Sequence, residues 1–146
     1  MELSLNFYNE DSNFRIKDRN VLKEYFEKIF SKEKPVNGNV NFIFCSDKYL
    51  MNLNTRFLKH KTLTDIITFE NYCGKNNLVA DIYISIERVK ENAKKYKVFF
   101  EKELYRVMIH GILHIVGYKD KTRKDKTIMT RKENIYLKMF HVKRKK

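Results

Sequence analysis

Hydrophobic and polar residues alternate in four segments of the chain, and in five other segments the apolar residues recur every three or four positions. Alternation is typical of a β-strand, whereas the longer spacing places apolar side chains along one side of a helix. The turn-forming residues 74–77 favour a hairpin between the third and fourth predicted strands. The predicted strands are residues 3–7, 40–45, 65–69 and 78–85, and the predicted helical stripes are residues 21–30, 50–57, 89–96, 100–116 and 128–140.

The order of these elements predicts an α+β fold, with about five helices packed on a mixed sheet of about four strands. At 146 residues the chain is long enough to bury a core, and we expect a single domain over residues 1–146. Residues 143–146 are all basic, and we expect them to form a disordered tail. The predicted capping residues are Asp18 or Asn20 for the first helix, Ser85 for the third, and Thr122 with Asp125 for the last.

The predicted helix at residues 100–116 is apolar on nearly every side and carries two histidines one turn apart. Such a helix is normally buried, so His110 and His114 should project from one face, inside or beside the core. Gly117 suits the residue just after a helix end, and the chain can then return Asp120 toward the histidines. Two histidines and one later ligand match a catalytic zinc site on this central helix, with a fourth position open. The alternative is that both are hydrogen-bonded core histidines.

The net charge of +13 is concentrated near the C-terminus. Residues 119–146 hold twelve lysine and arginine residues against three acidic ones, a net charge of +9, while the other 118 residues carry only +4. A basic segment of this kind predicts a polyanionic partner, with nucleic acid the first choice. The alternative is a solvated helix face followed by a frayed tail.

The two cysteines, Cys45 and Cys73, are too few for a disulfide framework, and we expect free thiols in a reducing compartment. No apolar run reaches the length of a membrane span, and the N-terminus lacks the basic start and apolar core of a secretory signal. These observations predict a cytoplasmic protein that has no membrane partner. We also expect no small-molecule organic cofactor.

Residues 110–120 resemble the motif H-G-x-L-H-x-x-G-Y-D-H of the YbeY family, which consists of single-domain metal-dependent endoribonucleases. The six matching positions are His110, Gly111, Leu113, His114, Gly117 and Tyr118. Residues 53–56, 64–69 and 80–82 also resemble family segments in the same order and spacing.

The resemblance implies a single-strand-specific endoribonuclease that acts in small-subunit ribosomal RNA 3′ end maturation and in ribosome quality control, with RNA as its partner. The arginine of the segment at residues 53–56 lines the active-site cleft in the family. Arg56 is therefore the candidate catalytic residue, because its planar guanidinium can donate two hydrogen bonds to phosphate. Substrate contacts are predicted for Lys59, His60 and Lys61 in the following loop.

The resemblance also implies one zinc ion per chain, but the third ligand differs. The family has a histidine where this chain has Asp120, and an aspartate where it has Lys119. Aspartate is a known zinc ligand, so His110, His114 and Asp120 remain a chemically sound set. Two histidines and a carboxylate also suit iron or manganese, which leaves the identity of the divalent metal open.

Four more residues have predicted supporting or alternative roles. Asp65 and Asp81 lie on predicted strands, where aspartate is disfavoured, so they either orient ligands and catalytic groups or bond the backbone at strand ends. His60 and His141 are the remaining histidines and rank below Asp120 as third ligand.

Other functions use similar residues. A metalloprotease of the H-E-x-x-H type needs a glutamate where this chain has Gly111. An iron-dependent oxygenase also uses two histidines and a carboxylate, but usually on a jelly roll rather than on a helix. The sequence does not exclude a non-catalytic RNA-binding ribosome-assembly factor with a structural metal, or a metal-dependent hydrolase of another class.

Overall fold

The computed structural model describes residues 1–57 and 64–144, and it describes side chains through Phe140. It confirms the predicted α+β fold, with a four-stranded mixed sheet and five helices in the described part of the chain. The strands are β1 (Leu3–Asn9), β2 (Asn37–Cys45), β3 (Ile66–Cys73) and β4 (Asn77–Ser85), and the helices are α1 (Arg19–Glu33), α2 (Asp47–Phe57), α3 (Ile86–Tyr96), α4 (Phe100–Ile115) and α5 (Arg123–Arg144).

The strands lie in the order β1-β2-β4-β3, so β3 is an edge strand. Strands β1, β2 and β4 are parallel neighbours, and β3 runs antiparallel to β4 through the predicted hairpin. At the start of β2, Gly38 has a φ of +123°, and a Cβ atom there would lie 1.9 Å from the carbonyl oxygen of Leu78. Only glycine fits this close approach of two strands.

The sheet separates two hydrophobic clusters. The main core lies on the side covered by α4, which we call the α4 face, and includes alternate residues of β4 such as Ala80, Ile82 and Ile84. The opposite side, which we call the α2 face, carries a smaller cluster in which Leu50 of α2 packs with Ile67 of β3. Because side chains alternate along a strand, neighbouring residues of β3 or β4 face different layers.

Two predicted helix caps are present and one is wrong. The hydroxyl of Ser85 accepts a hydrogen bond from the Arg88 amide at 3.1 Å. Thr122 and Asp125 form the reciprocal capping box, at 3.0 and 3.2 Å. Asp18 precedes α1, but its backbone is left-handed and its side chain makes no capping hydrogen bond.

The C-terminal helix α5 continues to Arg144, so it includes two of the four residues expected in the basic tail. No helix in the described part of the chain has both the length and the apolar character needed to cross a bilayer.

Candidate functional site

Helix α4 packs closely on the sheet and carries both histidines in its C-terminal half. A Cβ atom on Gly111 would lie 2.9 Å from Ile66 Cδ1 and 3.1 Å from Ile82 Cγ2, so this side of the helix faces the sheet. His110 is half-buried and His114 is exposed, although most of α4 is buried as predicted. The two imidazoles therefore differ in environment.

The chain reverses direction directly after α4. Gly117 has a φ of +117°, and the amide of Tyr118 donates to the carbonyl of Leu113 at 3.0 Å. This reversal returns Asp120 to the helix, where its Oδ2 lies 3.5 Å from Nε2 of His110. The structure thus brings together two of the three predicted metal ligands.

The other ring nitrogen of His110 contacts a residue that sequence reasoning missed. His110 Nδ1 lies 2.5 Å from Oε2 of Glu133 on α5, and Glu133 is only 4% exposed. Glu133 Oε1 accepts a second hydrogen bond from Nη1 of Arg106, at 3.2 Å. A signal was available, because Glu133 lies four residues after Met129 and four before Leu137, within the apolar stripe of α5. A buried charge in such a stripe is uncommon unless it has a partner.

Arg106 connects Glu133 to a second buried carboxylate on α4. Its Nε and Nη2 donate to the two oxygens of Glu103, at 2.9 and 2.5 Å. The hydrogen bond with Glu103 raises the pKa of the Arg106 guanidinium above its ordinary value, so this arginine stays charged. We call Glu103, Arg106 and Glu133 the buried ion triad.

The carboxylates around His110 favour its charged form. Burial lowers the pKa of His110, but the hydrogen bond and the charge of Glu133 act in the opposite direction, and the net shift is upward. Asp120 and Asp65 add to the increase in the His110 pKa. Burial raises the pKa of Asp65, although the positive charges of Arg106 and His110 act against that shift. Asp65 therefore lies within the electrostatic environment of His110.

An exposed carboxylate on the sheet interacts electrostatically with His114. Glu70 belongs to β3, and its position two residues before Tyr72 and four after Ile66 places it on the α4 face. Burial raises the pKa of Glu70, while the charges of His114 and Lys34 lower it. Sequence reasoning did not single out Glu70, since an acidic residue near a strand end has many explanations.

Glu33, the last residue of α1, holds the turn after α4 against α5. Its carboxylate accepts hydrogen bonds from the Tyr118 hydroxyl at 2.6 Å, from Lys132 Nζ at 3.1 Å and from the Tyr136 hydroxyl. Burial raises the pKa of Glu33, but these hydrogen bonds outweigh it and the net shift is downward. We call these four residues the Glu33 cluster. Because Tyr118 lies two residues before Asp120, the cluster fixes the path that returns Asp120 to His110.

Replacing Glu33 with glutamine should destabilise the protein in a pH-dependent way. A lowered pKa in the folded state contributes stability that is present above the unfolded-state pKa and is lost as the pH falls through the folded-state pKa. At pH 7 we expect Glu33→Gln to lower the free energy of unfolding by about 1.5–3 kcal/mol, the range for hydrogen bonds to a charged group.

Urea unfolding of both proteins between about pH 7 and pH 3 measures this effect. The difference should shrink as the pH falls below the usual glutamate range near pH 4. Glu91→Gln, which changes an exposed glutamate of α3, is the control and should show no such difference. A deficit for Glu33→Gln that is independent of pH would contradict the role assigned to the charge.

Neither Arg56 nor Asp81 contacts His110 in the described part of the chain. Asp81 alternates with Ile82 on β4, and its Oδ1 accepts a hydrogen bond from Asn41 Nδ2 at 3.0 Å on the α2 face. Arg56 is exposed in the last turn of α2, with its guanidinium carbon 5.7 Å from the centre of the Phe57 ring. Neither residue is brought into the group around the histidines.

The residues predicted to contact the substrate, and the remaining candidate metal ligand, have no described side chains. Lys59, His60 and Lys61 lie outside the described residues, as does the side chain of His141. Within residues 1–57 and 64–140, no group of three or more histidine, cysteine, aspartate or glutamate side chains is arranged to hold a metal ion. The contact between His110 and Asp120 is a pair of donors rather than a complete ligand set.

A comparison with known proteins matches nearly the whole chain. The family model described as "Endoribonuclease YbeY" matches residues 6–141. The protein named Endoribonuclease YbeY from Flavobacterium psychrophilum is 46% identical to this chain over 136 residues, which cover 93% of this chain and 96% of that protein. The protein of that name from Karelsulcia muelleri is 44% identical over 141 residues and covers 97% of both chains.

A solved structure agrees with the fold. The solution structure of TM1509 from Thermotoga maritima has a TM-score of 0.65 and 30% sequence identity, covering 97% of this chain and 91% of that one. The chain belongs to the YbeY endoribonuclease family, as its motif predicted.

Proposed function

We propose that this chain is a metal-dependent endoribonuclease that cleaves single-stranded RNA, acting on small-subunit ribosomal RNA in 3′ end maturation and ribosome quality control. The observation that carries the metal site is the His110–Asp120 pair in a member of this family. Two ligands bound tetrahedrally at about 2.0–2.2 Å from zinc lie about 3.4 Å apart. The separation of His110 Nε2 from Asp120 Oδ2 is 3.5 Å, which fits two ligands of one ion.

The side chains of His110, His114 and Asp120 are of the types that bind divalent metals. His114, one helical turn after His110 and exposed, supplies the third donor from α4. Two imidazoles and a carboxylate suit zinc, and they also suit iron or manganese. A divalent ion held by His110, His114 and Asp120 would lower the pKa of a bound water and polarise a phosphoryl oxygen.

The second part of the proposed site is Arg56, which reaches the RNA from the other side of an edge strand. The Phe57 ring contacts the ring of Phe69 on β3, with centroids 5.9 Å apart, so the end of α2 lies beside β3. The next residue of that strand, Glu70, lies on the α4 face and interacts electrostatically with His114. Because Phe69 and Glu70 are neighbours on the edge strand β3, the end of α2 and the proposed metal site approach the same edge of the sheet from opposite faces. Its role is to donate hydrogen bonds to the nonbridging phosphate oxygens as charge develops on them.

The basic surface of α5 is the proposed contact for the RNA backbone. Its first two turns expose Arg123, Lys124 and Lys126, and a shallow groove is lined by Arg123, Lys126, Thr127 and Thr130. Side chains of this type bind phosphates and carry no base information. They should therefore position the RNA rather than select the cleaved bond.

Removing two of these charges should make RNA binding less dependent on salt. For single strands, the slope of log affinity against log salt is about −0.7 per neutralised phosphate, so Arg123→Gln with Lys126→Gln should reduce the slope by about 1.4. Fluorescence anisotropy with a labelled single-stranded RNA at several salt concentrations gives this slope. Lys90→Gln with Lys94→Gln on α3 removes the same charge and is the control. An equal change in both double variants would show a general charge effect rather than a contact with α5.

Cleavage of a single-stranded RNA before and after metal removal tests the function itself. We expect chelation to stop cleavage and added zinc or manganese to restore it, with a double-stranded RNA of the same sequence cleaved far more slowly. The second candidate is a non-catalytic RNA-binding assembly factor, favoured by the absence of a three-residue metal group among the described residues. RNA binding without cleavage under any metal would support that candidate. The peptidase reading lacks support, because the position of its general base is Gly111, which lies against the sheet.

A further inference from the structure

The two ring nitrogens of His110 contact different carboxylates. Nδ1 lies 2.5 Å from Glu133 Oε2, and Nε2 lies 3.5 Å from Asp120 Oδ2. Asp120 is 48% exposed, whereas the side chain of Glu133 is 5% exposed. One nitrogen therefore faces the interior and the other faces the proposed metal site.

The second oxygen of Glu133, Oε1, is also hydrogen-bonded. Oε1 of Glu133 accepts from Arg106 Nη1, and Arg106 is bound by both oxygens of Glu103. These bonds join α4 to α5 and leave the Glu133 carboxylate little freedom to rotate. A fixed acceptor fixes the orientation of the imidazole that donates to it.

The charges of the buried ion triad also favour a cation beyond His110. Glu103 and Glu133 carry two negative charges against the single positive charge of Arg106. Arg106 binds both oxygens of Glu103, so its single positive charge is shared between two carboxylates. Oε2 of Glu133 contacts His110 instead of Arg106. Buried charge is costly unless it is balanced, and the balance comes from His110, either as the protonated ring or as a neutral ring that carries a metal cation on Nε2.

We propose that Glu133 is a positioning residue for the metal site. It accepts the Nδ1 proton of His110 and so holds the ring with Nε2 directed at the carboxylate of Asp120, where its lone pair in the neutral ring is available to a metal. The inference rests on the proposed function in one respect, because it takes His110 to be a metal ligand. It adds a residue of α5, outside the histidine motif, to the set that determines metal affinity.

Zinc affinity measured by chelator competition separates this role from a purely structural one. Loss of a carboxylate partner behind a metal-ligating histidine typically weakens metal binding by about 10–100-fold. We expect that decrease for Glu133→Gln, which keeps the size of the side chain but not its charge. Glu103→Gln is the matched control, because Glu103 is equally buried and binds the same Arg106 without touching His110. It should lower the thermal stability without changing zinc affinity. Equal losses of zinc affinity in the two variants would overturn the proposal.

Nitrogen-15 NMR of the histidine side chains gives a readout that needs no variant. In zinc-loaded wild-type protein, His110 should carry its proton on Nδ1 and bind zinc through Nε2. In the metal-free protein, at a pH where the ring is neutral, the same Nδ1–H tautomer should persist. Zinc bound at Nδ1, or an Nε2–H tautomer without metal, overturns the proposal even if Glu133→Gln fails to fold.

The same measurements distinguish this inference from the proposed function. A wild-type protein that binds no zinc or other divalent metal contradicts the proposed function. The metal-free tautomer still decides whether Glu133 orients His110.

Discussion

His114→Ala protein is expected to lose RNA cleavage by about 10³-fold or more while unfolding at the same temperature as the metal-free wild type. The metal contributes several kcal/mol of transition-state stabilisation in such sites, and each 1.4 kcal/mol is about tenfold in rate. His114 is exposed, so its removal leaves no cavity and no unpaired buried group. Elemental analysis should show little bound metal in the variant. Retention of wild-type metal content and cleavage would mean that His114 is not a ligand.

The His110→Ala protein should differ from the His114→Ala protein in its unfolding temperature. His110→Ala should also lose metal and cleavage, but it removes a partner from the buried carboxylate of Glu133. Oε2 of Glu133 then loses its partner while Oε1 keeps Arg106, and a buried acceptor that loses its partner costs about 1–3 kcal/mol, or more when it is charged. His110→Ala should therefore unfold at a lower temperature than His114→Ala. Equal stability of the two variants would show that the contact with Glu133 contributes little to the fold.

The fold was largely predictable because the periodicity of apolar residues matches the burial on both sides of the sheet. Ala80, Ile82 and Ile84 alternate with Asp81 and Tyr83, and the first three are buried in the main core. Details that depend on a single hydrogen bond were harder. Asp18 has the residue type of a helix cap, but its left-handed backbone leaves the helix without a side-chain cap.

The candidate site was predictable only where its parts are close in sequence. His110, His114 and Asp120 lie within one helix and the turn after it, so helical spacing and one glycine suffice to bring them near each other. Glu133 reaches His110 only because α5 packs on α4, and no local pattern specifies which residues of two helices meet. Glu33 is still more distant, 85 residues from Tyr118 along the chain.

The placement of Asp81 shows the limit of inferring a role from residue type. An aspartate on a strand was expected to support the metal site or to bond the backbone. Strand alternation instead directs it to the α2 face, where it joins Asn6 and Asn41 in a ladder of side-chain hydrogen bonds. The register of β1, β2 and β4 determines that ladder, and register is a property of strand pairing rather than of one segment.

Arg56→Ala protein is the second variant with a large expected effect. We expect RNA cleavage to fall by about 10²–10³-fold, the typical loss when one donor to developing charge is removed. Metal content and unfolding temperature should not change, because Arg56 is exposed and its described contact is with the ring of Phe57, the adjacent residue. Single-turnover cleavage of a single-stranded RNA measures the chemical step separately from binding.

Two further variants determine what kind of role Arg56 has. Arg56→Lys keeps the charge but loses the planar arrangement of donors, so cleavage should recover only in part if two hydrogen bonds to one phosphate are needed. Arg19→Ala removes an exposed arginine at the start of α1, a helix length of about 20 Å from Glu33, and should cleave as the wild type does. If the Arg56→Ala protein cleaves RNA slowly and also lacks metal, the arginine has a structural role. A protein with normal cleavage would instead place the phosphate-binding group elsewhere and leave the α2 face without a part in the chemistry.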